Sequence, residues 1–132
     1  MPTADLTNPR QEIITGNDNI VIVDNFQSVR GGRTLDVTEF NPTVINAGHV
    51  IIKSTTADLY KPMPLASNDT VYGALPSGYE YAGILIQTLF TAKPFAGIML
   101  RGTVNYKAAP FDMTSILTAI KTALPLIKFV ED

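Results

Sequence analysis

The chain of 132 residues contains no cysteine. Disulfides, thiolate nucleophiles and Cys-ligated zinc are therefore excluded. It holds one histidine, His49. A lone imidazole cannot make a multi-histidine metal site, and a catalytic triad would need an activated nucleophile beside it. His49 is accordingly read as a partly packed side chain at the start of a β-branched strand. Charged residues are also scarce, at 17% of the chain against about a quarter in ordinary soluble domains. The net charge is −2 and the basic residues are scattered, whereas phosphate binding needs them concentrated. Nucleic acid is thus not expected as a partner. No apolar run approaches the roughly 18 residues of a membrane span, so no membrane partner is expected either. The opening "MPTADLTNPRQE" lacks a basic stretch followed by an apolar one, so no secretory signal is expected.

What the chain does have is apolar surface. Hydrophobic residues make up 45% of it, and the length suits one domain with a real core. So little charge over so apolar a chain favours a protein that works inside an assembly. Residues 1–18 are polar with two prolines and no periodicity, and read as an extended N-terminal arm with a short strand at "EIIT". Residues 19–132 read as a single β-rich domain. "NIVIVD" (Asn19 to Asp24) has strand character, and "FQSVRGGRTLDVTEF" (Phe26 to Phe40) has the form of a hairpin turning at Gly31 and Gly32. "HVIIK" follows a turn at Asn46 to Gly48. A long loop, Ser54 to Glu80, separates it from the core strands "YAGILIQTLF" and "GIMLRGTVNY". The spacing of Met113, Ile116, Leu117, Ile120 and Leu124 predicts one helix, capped by Asp112 and ended by Pro125. "LIKFVE" returns as a final strand.

Candidate chemistry is sparse. Arg30 and Arg33 flank the glycine turn and suit a solvated turn better than an anion site. Glu80 and Asp112 make an improbable acid–base pair, since capping already gives Asp112 a role. There is no glycine-rich phosphate loop, and neither a catalytic set nor a cofactor is expected; the chain does not read as an enzyme. The tyrosines around the long loop, Tyr60, Tyr72 and Tyr79 among them, suit a sugar platform or, preferably, a subunit interface. Arg101 sits inside an apolar run. Simple alternation puts Met99, Arg101 and Thr103 on one face and Ile98, Leu100 and Val104 on the other. Gly102 then marks a bulge or a close backbone approach. Arg101 is read as a partner-interface residue.

The segments "NAGHVIIKS", "YAGILIQTL", "AGIMLRGTVNYKAAPFDM" and "IKFVED" occur in an order that resembles the head decoration proteins of tailed bacteriophages, the lambda-type capsid-stabilising family. The matching elements are Ala47–Lys53, Ala82–Gln87, Ile98–Val104, Asp112–Leu124 and Ile127–Glu131. The resemblance covers residues 44–132, and the strand and hairpin within 19–43 are additional to it. It implies a mixed α+β, mainly β fold: a small β-barrel or β-tulip-like domain with one C-terminal helix and an extended N-terminal arm. It further implies a homotrimer on the virion capsid exterior, present in the host cytoplasm before assembly. The arm, Thr7, Asn8, Pro9, Arg10, Gln11, Glu12, Ile13 and Ile14, would add a strand to the major capsid protein. The function expected is stabilisation of the mature head. The alternative is a carbohydrate- or receptor-binding module, or a head-fibre base, using the tyrosine loop.

Overall fold

The computed structural model of the chain describes residue 4 and residues 18–131. Among these residues helix α1 (Asp18–Val21) comes first and runs straight into strand β1 (Ile22–Ser28). Short strands β2 (Arg33–Thr34) and β3 (Val44–Ile45) lead to β4 (Val50–Ser54), followed by β5 (Tyr60–Pro62), β6 (Leu65–Ala66) and β7 (Val71–Tyr72). Then come β8 (Tyr79–Leu85), β9 (Leu89–Phe90), β10 (Phe95–Ala96), β11 (Ile98–Asn105), helix α2 (Leu117–Ala123) and β12 (Ile127–Val130). The class is mixed α+β and mainly β.

One sheet carries the molecule. Its strands run in the order β1-β11-β8-β4-β5, with β12 lying parallel to β11 and the other pairings antiparallel. The strands are apolar on both faces, because each face is covered. Neighbouring residues separate cleanly into two clusters. Val50, Ile52, Ile84, Met99 and Val104 face one core, which Val21, Met113, Ile120 and Leu124 close. Ile51, Leu85 and Ile98 face a second core, completed by Val29, Leu35, Ile45 and Ala96. Helix α2 covers the first face. The two-residue ladders β2–β10 and β3–β9 supply residues to the second.

Several expectations are corrected by this topology. Phe26 to Phe40 is not a hairpin: β1 pairs with β11, whereas β2 pairs with β10. The glycine turn is real, with Gly31 and Gly32 both at positive φ and the Gly32 amide donating to the Val29 carbonyl at 3.1 Å. It carries the chain from the sheet edge to the second face instead of back along β1. Asn19 to Val21 is helical, and the strand begins only at Ile22. The long loop is not structureless, since it contains β5 and the β6–β7 ladder. The expected strand Tyr81 to Phe90 divides into β8 and β9, which belong to different ladders.

The C-terminal helix is shorter than its apolar spacing suggests. Asp112 does not cap α2: its carboxylate accepts from the Thr114 amide at 2.9 Å and from the Thr114 hydroxyl, closing a turn one step earlier. The position before the helix is Ile116, without a side-chain cap. Met113, Ile120 and Leu124 are nevertheless buried together, because the turn at 112–116 keeps Met113 on the helix's inward side. Leu124 ends the helix just before Pro125. The expected strand at "EIIT" lies outside the described residues.

Candidate functional site

Arg101 projects from the exposed part of β11, opposite Gln27 of β1. The register of that pair is irregular. Ile22 faces Val104 and Asp24 faces Thr103, so Val23 is an extra residue. Asn25 faces Gly102 and Gln27 faces Arg101, so Phe26 is another. Leu100 is the extra residue on β11, because Gln27 and Ser28 face Arg101 and Met99. This bulge overturns the simple alternation across β11. Met99 falls in the same cluster as Val104, while Ile98 and Leu100 pack in the other.

Gly102 makes the pairing possible. A Cβ there would collide with the Asp24 carbonyl oxygen and the Met99 sulfur. The close backbone approach expected at this glycine is therefore present. Its consequence is a twisted strand that forms the sheet edge among the described residues. Bulges re-aim side chains and interrupt a regular row of amides, and β1 puts Phe26 at 70% exposure and Val23 at 46%. Ile20, in α1 just before the strand, is 51% exposed. The opposite edge differs: the Asp36 amide donates to the Tyr60 carbonyl on β5 at 2.8 Å and covers it.

The body is tied to the start of this edge by a buried polar link. The Asp18 carboxylate accepts from the Thr88 amide at 3.0 Å and its hydroxyl at 2.6 Å, and that hydroxyl accepts from the Ala47 amide at 3.1 Å. Val21 packs onto Gly48, where a Cβ would overlap it. Asp18, placed at the end of the arm on sequence grounds, is thus bonded to the domain. The arm residues Thr7 to Ile14 lie outside the described residues.

The tyrosines divide. Tyr60 and Tyr72 are buried in the chain's own core, so their rings are not offered to a subunit or a sugar as expected. Tyr60 packs in the second cluster with Arg33 and Lys53 over its ring, at 5.6 and 5.4 Å. Tyr72 accepts from the Val50 amide at 3.1 Å, and burial raises its phenol well above the usual range. Tyr79 is half-buried, and the Lys61 ammonium lies 4.4 Å from its ring centre. Arg33 closes its own turn by donating to the carbonyls of Gly32 and Arg30, at 2.8 and 3.2 Å. An open concavity of about 450 Å³ lies beside it, lined by residues 31–34 and 95–97.

His49 is more deeply placed than a strand-end residue. It is 0% exposed and ringed by Phe40, Tyr72 and Phe111, each edge-on at 5.2–5.6 Å between centres. Its Nε2 lies 3.0 Å from the Met63 carbonyl oxygen. A carbonyl only accepts, so Nε2 carries the hydrogen and the ring is the neutral tautomer. Burial pushes its pKa down to about 4, opposed by the Met63 hydrogen bond. Among the described residues, no group of three His, Asp or Glu side chains is placed to hold a metal. Glu80 is exposed on β8 and Asp112 is occupied with Thr114.

Sequence reasoning missed Val23 and Phe26. "NIVIVDNFQS" is apolar for an edge strand, and that excess was its only trace. Comparison with protein-family models, curated proteins and solved structures gave no match.

Proposed function

We propose that the protein is a structural virion component that binds the outside of a phage capsid and stabilises the mature head. The observation that carries this reading is the β1 edge, where Val23 and Phe26 are turned outward by two bulges. An apolar edge of this kind suits attachment to a larger surface. The order of segments that resembles lambda-type decoration proteins supports the same reading, as does the low charge of the chain. In this proposal the residues before Asp18 are the capsid-contacting arm and the major capsid protein is the partner. The domain is tulip-like, closing as a homotrimer in which each copy contributes modest contacts multiplied by avidity.

The carbohydrate- or receptor-binding reading is not favoured. It requires a platform of exposed tyrosines, and Tyr60 and Tyr72 are buried. The test is sedimentation of purified protein with expanded and unexpanded heads, using the parent chain and a Val23→Ser/Phe26→Ser double variant. The parent chain is expected to co-sediment with expanded heads, and the variant to fold normally yet lose at least tenfold in apparent affinity. Absence of the parent from both head pellets would sink the proposal.

A further inference from the structure

Three surface segments meet on one imidazole. Phe40 comes from the connection between β2 and β3, Tyr72 from β7 and Phe111 from the connection between β11 and α2. Met63, whose carbonyl holds the ring, lies between β5 and β6. These segments carry little regular structure of their own: β6 and β7 are two residues each. Phe40 packs against the second core, while Tyr72 and Phe111 belong to the first. His49 therefore stands where the two cores join. Its Nδ1 is buried with no hydrogen-bond partner among the described residues.

We propose that His49 is an acid-sensitive pin: a proton taken up at Nδ1 releases the segments 36–43, 63–75 and 106–116 together, while the central sheet stays paired. The neutral ring fits an apolar cage, whereas a cation at Nδ1 would be fully buried with no acceptor among the described residues. Charged and titratable groups do stand on the surrounding elements: Lys53 on β4, Lys61 on β5, Asp36 and Glu39 before Phe40, Asp69 between β6 and β7, and Tyr106, Lys107 and Asp112 around Phe111. Among the described residues Tyr72 is the one titratable ring in direct contact. None of these compensates a charge on the imidazole, whose proton affinity is set by burial and the Met63 carbonyl.

The sign follows from the two proton affinities. The ordinary value is 6.5, and in the closed state the ring binds a proton only near pH 4. Released segments leave the ring hydrated, so opening takes up a proton throughout that interval. The open population then rises about tenfold per pH unit from 6.5 down to 4, about 300-fold in all, and levels off below. Two carboxylates on the released segments, Asp36 and Asp112, do not mimic this. Thr38 and Thr114 hold Asp36 and Asp112 below their usual 3.8, so the stability those two contribute is lost only at lower pH.

The experiment is hydrogen exchange read by mass spectrometry at several pH values, corrected for intrinsic exchange, beside an NMR titration of the imidazole. The three segments are expected to lose protection together with a one-proton slope between pH 6.5 and 4, while β8 and β11 keep theirs. The imidazole should remain the Nε2–H tautomer until near pH 4. In His49→Phe the slope should vanish. If that variant does not fold, the wild-type titration and exchange decide alone. An imidazole titrating near 6.5 with the segments still protected would overturn the proposal. So would loss of β8 and β11 protection in step with the segments, or three segments opening with different pH dependences.

Discussion

At the scale of single residues, two glycines show how space and dihedral angle impose separate demands. Gly31 has open space where a Cβ would go but a φ of +75°. Gly102 needs the room itself, because β1 crosses its α-carbon against the Asp24 carbonyl. Replacement of Gly102 by alanine must push one backbone away from another, which soft side chains cannot absorb. Gly102→Ala is expected to cost about 1–3 kcal/mol, the range for overpacking, and to free the Val23–Gln27 amides for exchange. Gly31→Ala should cost about 1 kcal/mol through its dihedral alone, with β1 protection intact. Urea midpoints and amide exchange on both variants check the contrast. The sequence position of Gly102, after a charge inside an apolar run, made its role legible. That of His49 was not, since its cage is assembled from residues 9, 23 and 62 positions away. No local pattern encodes Phe40, Tyr72 and Phe111 as neighbours of one ring.

At the scale of elements, the turn between β6 and β7 stores backbone strain. Ser67, Asn68 and Asp69 have φ of 54°, 59° and 63°, three consecutive non-glycine residues in the left-handed region. Asparagine and aspartate tolerate it better than serine. The turn is held by Thr70, whose amide donates to the Ala66 carbonyl at 3.1 Å and whose hydroxyl donates to the Ser67 carbonyl at 2.6 Å. Both acceptors are backbone, so Ser67→Gly keeps them and relieves one strained residue. It is expected to stabilise the chain by about 0.5–1 kcal/mol, whereas Asp69→Val should destabilise by about 1–2 kcal/mol. Thermal unfolding of the two variants gives the test.

Elements were legible where burial and periodicity agreed. The strands at Val50–Ser54, Ile98–Asn105 and Ile127–Val130 follow from their apolar residues, as does the buried side of α2. The hairpin expectation failed because a glycine turn between two apolar stretches has the same local signature whether the chain doubles back or crosses to another layer. The choice was made by Leu35, which is fully buried, and by its amide, which donates to the Pro94 carbonyl at 2.9 Å. That partner is 59 positions away and no window reaches it. The bulges of β1 were hidden for the same reason: they are a property of the pairing with β11, and Phe26 reads locally as an ordinary strand residue.

At the scale of the whole molecule, one sheet serves two cores, and this decides how the protein unfolds. Leu35 closes the face covered by the short ladders, and Ile120 closes the face covered by α2; both are fully buried. Neither core has a sheet of its own, because β4, β8 and β11 contribute alternate residues to each. Loss of either cover would expose the shared strands, so the two cores cannot melt as independent units. Leu35→Ala and Ile120→Ala should therefore each cost about 2–5 kcal/mol, the range for large-to-small changes in a core. They share no partner across the sheet, and the double variant should equal their sum within about 0.5 kcal/mol. Urea unfolding at pH 7, where His49 is neutral, followed by tyrosine fluorescence and far-ultraviolet circular dichroism, should give one coincident transition for the parent and each single variant. Separate transitions, or a variant that melts one face while the other persists, would show that the sheet does not couple the cores. The acid opening proposed for His49 differs in kind: it takes Met63, Tyr72 and Met113 from the first core but leaves both covers in place, α2 on one face and the β2–β10 and β3–β9 ladders on the other, so the shared strands stay paired and it should precede the cooperative transition as pH falls.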